Sequence, residues 1–407
     1  MKQIGQIPQS LLYCLISLSV LTEAIYSVAL PNIAEQLNTD GGIAQLSTTA
    51  YHLGFTVGIF TLGRCSDIYG RRPVILFGIS FYIIATYLIT LSSNIETFIA
   101  FRFLQAYGAS VGSVVAQAMA RDSYKGWELT YIYASVALVM SIVPSFGSAV
   151  GGYIVEYSEE WEDVFRFLIV VSSILLLIYA KFLPETNAYI GSGRSNRFSA
   201  VLRVALRDKL LLSSAFIVGA YNGIMFSFYI QMPFIFIERM KMPPSEYGQL
   251  FLALTVANMA GGLFSRYLVK RFVSNSRMKI MGLTFSCIAC LGLLGSTLWI
   301  SETSSITFTA MMIFMPMSIH LMGHALIVPM MLKNALKDYY KVVGTAGAIF
   351  GALYYLVTAL VSLMISLLHS NTINNYAYIY ATLMVMCIGL LFMTFKWQNN
   401  ATEPTFN

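Results

Sequence analysis

Long apolar runs separated by short polar turns recur along the whole of this 407-residue chain. Crossing a ~30 Å hydrocarbon layer takes about 20 consecutive apolar residues in a helix, which satisfies its own backbone polar groups where no water can. Runs of that length fall at about residues 10–30, 47–67, 74–92, 98–120, 129–155, 163–183, 211–237, 246–268, 279–300, 306–330, 343–368 and 376–396. Twelve membrane helices are therefore expected. Composition agrees, since 11% of residues are charged where soluble globules carry roughly 25%. The expected class is an all-α polytopic membrane protein.

Lysine and arginine placement sets the orientation, because translocated loops rarely keep them. With both termini cytoplasmic, only Arg166, Arg239 and Lys241 face outward and Arg102 lies inside a helix. This asymmetry accounts for the net charge of +6 without invoking nucleic acid. The first apolar run holds the ionisable Glu23 and is followed by eleven more, so it is expected to stay as a helix and not be cleaved as a signal peptide. Cys287 and Cys290 have redox-motif spacing but sit within the ninth span, and neither disulfide nor metal is assigned. The expected setting is a plasma membrane of the bacterial inner-membrane type.

Hydropathy falls between Glu185 and Lys209, where Gly191-Ser192-Gly193-Arg194-Ser195-Asn196-Arg197 reads as a flexible basic connector. The expected division is residues 1–186, a six-helix bundle; 187–209, a cytoplasmic linker; and 210–407, a second six-helix bundle. The halves carry a trace of duplication. Gly63, Ser66, Arg71 and Arg72 recur 199 positions on as Gly262, Ser265, Lys270 and Arg271, while Asp67 becomes Arg266.

The turn Gly63-Arg64-Cys65-Ser66-Asp67-Ile68-Tyr69-Gly70-Arg71-Arg72-Pro73 is a charged hairpin between two apolar segments. It resembles motif A of the major facilitator superfamily, with Gly63, Asp67, Gly70, Arg71 and Arg72 in register. Arg102 and Gln105 are similar to motif B, with Ala106 where a glycine is usual. Pro144 and Gly147 are similar to motif C of the antiporter branch, with Val143 ahead of the proline. With Trp161 to Phe165, Leu183-Pro184-Glu185-Thr186 and Tyr229 to Phe234, the chain looks most like the Bcr/CflA-type drug:proton antiporters. The resemblance implies two pseudo-symmetric bundles, substrate bound between them and alternating access. It also implies that Asp67 meets the start of the eleventh helix, where Gly344, Gly347 and Gly351 form a small face, and that Arg71 or Arg72 pairs with Asp122, together latching the cytoplasmic gate.

A charge at bilayer depth costs at least ~2.5 to 3.5 kcal/mol, so Glu23 and Arg102 stand out. At ~1.5 Å per residue they lie at comparable depths, about 10 Å and 6 Å below the outer side. A carboxylate exchanging its partner between arginine and substrate would couple transport to protons; a static ion pair locking two helices is the plainer alternative. Related antiporters often carry the acid at the position of Ala24, so Glu23 is displaced by about 100° around its helix. His320 and His324, four residues apart on the tenth span, are open to three readings: polar lining or interhelical hydrogen bonding, a proton relay, or metal binding without a third ligand. Tyr26, Gln105, Tyr221, Asn222, Phe226, Tyr229, Gln231, His320 and His324 are the candidate lining of a substrate cavity.

No phosphate-binding Gly-x-x-x-x-Gly-Lys-Ser/Thr loop occurs, so the expected energy source is a proton gradient, with no cofactor. The expected function is proton-coupled export of a small, largely apolar organic compound, a drug or a metabolite such as a siderophore, by a monomer in a lipid bilayer. An importer or facilitator of the same fold is the alternative, and a nontransporting membrane sensor is a third class. No constellation of nucleophile, base and orienting group points to an enzyme.

Overall fold

The computed structural model describes residues 5–158, 160–188, 198–301 and 303–398. Among them the chain forms α1 Gln9–Ser27, α2 Leu30–Gln36, α3 Gly41–Tyr69, α4 Arg71–Ile89, α5 Ile95–Ala109, α6 Val111–Ser123, α7 Gly126–Ser158, α8 Glu162–Phe182, α9 Phe198–Ala205, α10 Lys209–Pro233, α11 Pro244–Lys270, α12 Asn275–Trp299, α13 Ile306–Ala335, α14 Val343–Leu367 and α15 Asn374–Gln398. Polar residues set the starts. Asp40 accepts from the Gly42 amide, Asn94 from Thr97, Asp208 from Leu210 and Leu211, and Ser305 from Phe308, each satisfying amides that a helix leaves orphaned.

Eleven stretches of the described residues are long and apolar enough to cross a membrane, α5 and α6 together making one of them. The twelfth long helix, α3, has the length but not the apolarity. Its buried side carries Gln45, Ser47, Thr48, Thr49, His52 and Thr56, because it faces protein on both sides of the molecule's midline instead of lipid. Other boundaries also differ from expectation. The fourth span begins a new helix at Val111, and the seventh continues from Pro233 into a π-helical turn, Phe234–Arg239. The second half of the connector is the short helix α9, docked through Val201 and Ala205; its glycine-serine stretch lies outside the described residues.

Helices pack in the same pattern in each half. In the first, α1 lies on α7 and α3 on α5; in the second, α10 lies on α14 and α11 on α13. Two seams then join the halves, α3 with α14 and α7 with α11. On the second seam a Cβ at Gly248 would collide with the Ser148 carbonyl, and one at Gly152 with the Pro244 carbonyl. The bare backbones allow that approach. Ser145 Oγ donates to the Phe251 carbonyl at 2.7 Å in the same seam.

Candidate functional site at the junction of the two halves

The α3–α4 hairpin turns at Gly70, whose φ of 104° is one that side-chain-bearing residues rarely adopt. Arg71 then folds back into the turn. Its guanidinium donates to Asp122 Oδ2 at 3.1 Å, Ser66 Oγ at 2.7 Å and Asp67 Oδ1 at 2.5 Å. Arg72 turns elsewhere, to the Ala180 carbonyl at 2.7 Å. The first amides of α4 are capped by Glu185, whose carboxylate accepts from Arg71 N at 3.0 Å and Arg72 N at 3.1 Å. A carboxylate at a helix start is favourable for both hydrogen bonding and the helix dipole. Asn187 continues the clamp by donating to the Asp67 carbonyl at 3.1 Å.

Among the described residues the expected contact between Asp67 and the start of α14 is not found. The Asp67 side chain is 61% exposed and its ion-pair partner is Arg71. Nor do the α14 glycines form a close-packed face: a Cβ at Gly344, Gly347 or Gly351 would meet nothing nearer than 3.9 Å. The reason lies at the opposite end of the seam. There Gln45 Nε2 donates to Gln231 Oε1 at 3.0 Å and to the Ile230 carbonyl at 3.2 Å, with His369 Nδ1 3.0 Å away. Gln231 Nε2 reaches the Ser370 carbonyl at 2.6 Å, and the His369 ring stands edge-on to Phe234 at 4.8 Å. The halves are therefore joined tightly at the end away from the hairpin.

Between these ends sit the ionisable groups. Glu23, on α1 and 8% exposed, places Oε1 2.6 Å from Nε2 of the fully buried His52 on α3. The approach lies off the line a hydrogen bond prefers, so the contact is a close carboxylate–imidazole approach and not an aligned hydrogen bond. Arg102 is not the partner of Glu23. Its guanidinium, on α5 and fully buried, is hydrogen-bonded to Gln105 and lies over the Tyr26 ring at 3.7 Å and the Tyr51 ring at 4.5 Å. Rings facing a desolvated guanidinium offset part of its burial cost, about 2 kcal/mol or more per contact. Equal depth did not bring the two charges together, because aromatic side chains took the arginine first.

His52 also faces the other half. Its Nδ1 lies 3.3 Å from Ser362 Oγ on α14, and its ring is 5.2 Å from Phe226 on α10 and 6.2 Å from Tyr355 on α14. Tyr355 packs in turn on Phe55 at 4.6 Å and Tyr354 at 4.7 Å. α7 packs closely on the neighbouring face of α1, where a Cβ at Gly147 would stand 3.1 Å from Ala24 and from Leu21. Pro144 lies one turn earlier in α7.

The remaining candidates separate into groups. Phe226 borders the pair, Tyr26 lies under the Arg102 guanidinium, and Tyr229 stacks on Phe251 at 4.8 Å. Gln231 belongs to the closed end. Gln105 is buried within the first bundle, donating to Thr86 at 2.9 Å. Tyr221, His320 and His324 pack inside the second bundle, where His320 Nδ1 meets Tyr380 OH at 2.6 Å and His324 Nε2 meets Asn222 Oδ1 at 3.1 Å. Among the described residues no group of three or more His, Cys, Asp or Glu is placed to hold a metal ion. Sequence reasoning passed over His52, although it is an ionisable residue deep within an expected span like the two it singled out. It named Glu185 only within the Leu183–Thr186 stretch, without its capping role, and passed over His369.

The model of the Major Facilitator Superfamily matches residues 12–362. The chain belongs to the Major Facilitator Superfamily. It is 48% identical to an uncharacterized transporter of Rickettsia bellii over 388 residues, 95% of this chain and 96% of the relative. It is 24% identical to the bicyclomycin resistance protein homolog of Haemophilus influenzae over 347 residues, 82% of each chain. In fold it is similar to the xylose transporter XylE from E. coli in a partially occluded inward open conformation, with a TM-score of 0.73 at 12% identity over 95% of this chain and 96% of that one. As a superfamily member the chain is a membrane-spanning transporter and not an enzyme.

Proposed function

We propose that this transporter exports small, largely apolar organic compounds in exchange for protons, from a plasma membrane in which both termini and the α3–α4 hairpin face the cytoplasm. The observation that carries the reading is the Glu23–His52 pair, buried where the two halves meet. A membrane-depth carboxylate with a titratable partner can take up and give back a proton as its access to water changes. The aromatic rings around it, Phe226, Tyr355 and Phe55, supply a surface for flat apolar ligands. A relative named for bicyclomycin resistance supports the export of drug-like compounds.

In this orientation the outward end is shut by Gln45, Gln231 and His369, while Asp67 is disengaged from α14 at the cytoplasmic end. Transport of a panel of drugs and metabolites by the purified protein in proteoliposomes tests the reading. An imposed pH gradient should drive at least one compound uphill against the direction of proton flow. Uphill movement in the same direction as protons would make the chain an importer, and no response to the gradient for any transported compound would remove proton coupling.

A further inference from the structure

Among the contacts described, His52 touches a charged residue of one half and a seam residue of the other at the same time. Its Nε2 faces Glu23 on α1 and its Nδ1 faces Ser362 on α14. We propose that His52 is the positioning residue through which the charge of Glu23 controls the α3–α14 seam, so that proton uptake by the pair loosens it. This rests on the reading of Glu23 as the proton-carrying acid.

The direction follows from the charges around the pair. Arg102 on α5 is the fixed cation, and Tyr26, Tyr51, Tyr229, Tyr354 and Tyr355, from α1, α3, α10 and α14, are the other titratable groups within reach. On the neighbouring face of α1, at Leu21 and Ala24, α7 presents the uncharged Gly147 and Ser148. With Glu23 ionised, Arg102 charged and His52 neutral, the set sums to zero. A proton arriving from water protonates either the carboxylate or the imidazole, and in both cases leaves one net positive charge in a dry junction. Net charge is disfavoured there. Separation of α3 from α14 admits water and removes that cost. In the neutral state the Ser362 hydroxyl can donate to Nδ1 or accept from it, according to the ring's tautomer, and so holds the seam in either case.

A second imidazole among the described residues of the seam is His369, near Asp40, so the test is made in a His369→Gln background. Backbone hydrogen exchange of the full-length protein in lipid nanodiscs, without substrate or gradient, is followed in peptides covering residues 48–58 and 355–365 and corrected for the intrinsic pH dependence of exchange. At about pH 5.5 these peptides should exchange at least ~3-fold faster than at about pH 8.5. His52→Gln should diminish the difference, because the carboxylate is then the pair's one remaining proton acceptor. Ser362→Ala leaves the pair intact and should raise exchange at the alkaline end alone, which keeps a reading available if His52→Gln does not fold. A background protein with no pH response in these peptides, a His52→Gln variant with an undiminished response, or Ser362→Ala exchange unchanged at both ends would each overturn the proposal. Proton-driven transport is not needed for any of these results. A seam that responds as described in a protein that moves nothing under a pH gradient would defeat the export reading and support this one.

Discussion

Arg102 and Glu23 show how differently two buried charges can be accommodated within one bundle. The arginine is fixed between Tyr26 and Tyr51 with Gln105 as its hydrogen-bond partner, whereas the glutamate meets a group that can itself accept its proton. Arg102→Ala should therefore act first on structure. It removes two ring contacts and leaves Gln105 short of a partner, at a cost of about 2 to 4 kcal/mol read as a lowered melting temperature in detergent. Arg102→Lys should recover only part of it, because an ammonium does not lie flat on two rings. Stability unchanged in Arg102→Ala would show that the aromatic packing contributes little. At the closed end, burial holds the His369 imidazole below its ordinary value, with Asp40 pulling the other way. The folded state then binds fewer protons than the unfolded one. Its contribution is complete above about pH 6.5 and declines as pH falls below that value. Hydrogen exchange around residues 366–372 should rise on acidification, and His369→Gln should flatten that rise; an equal rise in the variant would place the titration elsewhere.

Helix α4 begins with three unusual features in a row: a glycine at positive φ, two arginine amides capped from a distant carboxylate, and a proline at its third position. Glu185→Ala strips the cap and leaves amides unpaired, so it should destabilise the protein by about 1 to 2 kcal/mol. Asp67→Asn removes one exposed partner of Arg71 while Asp122 remains, and should cost about 1 kcal/mol or less in this conformation. Comparable melting shifts for the two variants would contradict this ordering. Much of this hairpin was legible beforehand, since Gly70, Arg71, Arg72 and Asp122 are local in sequence or belong to a motif of fixed spacing. The cap was not, because Glu185 comes from 114 residues away and no local pattern announces such a partner. α3 tested the hydropathy argument hardest. Its polar face was foreseen only as a span of ordinary apolarity, yet that face carries Gln45 and His52, two polar residues that reach the other half. Periodicity identified long helices well and said nothing of which would be buried between bundles.

At the scale of the whole molecule the two halves repeat one packing scheme and meet along two seams, and the pair of Glu23 and His52 lies against the first of them. Twelve helices and two bundles could be anticipated from apolar runs, from the connector and from the trace of duplication at Gly63 and Gly262. The partner of Glu23 could not, because side-chain pairing across helices depends on rotation and on competing aromatic contacts that depth alone does not fix. Alternating access requires only that bound protons and substrate shift a balance of a few kcal/mol between closed and open ends. The claim that ties these scales together is that a proton on Glu23 and His52 is exchanged for substrate. Simultaneous measurement of substrate and proton flux in proteoliposomes, with a pH-sensitive dye on one side and labelled substrate on the other, tests it most directly. The wild type should move protons opposite to substrate in a fixed ratio, and Glu23→Gln should lose the proton movement while retaining downhill substrate exchange. Proton movement in Glu23→Gln equal to that of the wild type would contradict the account.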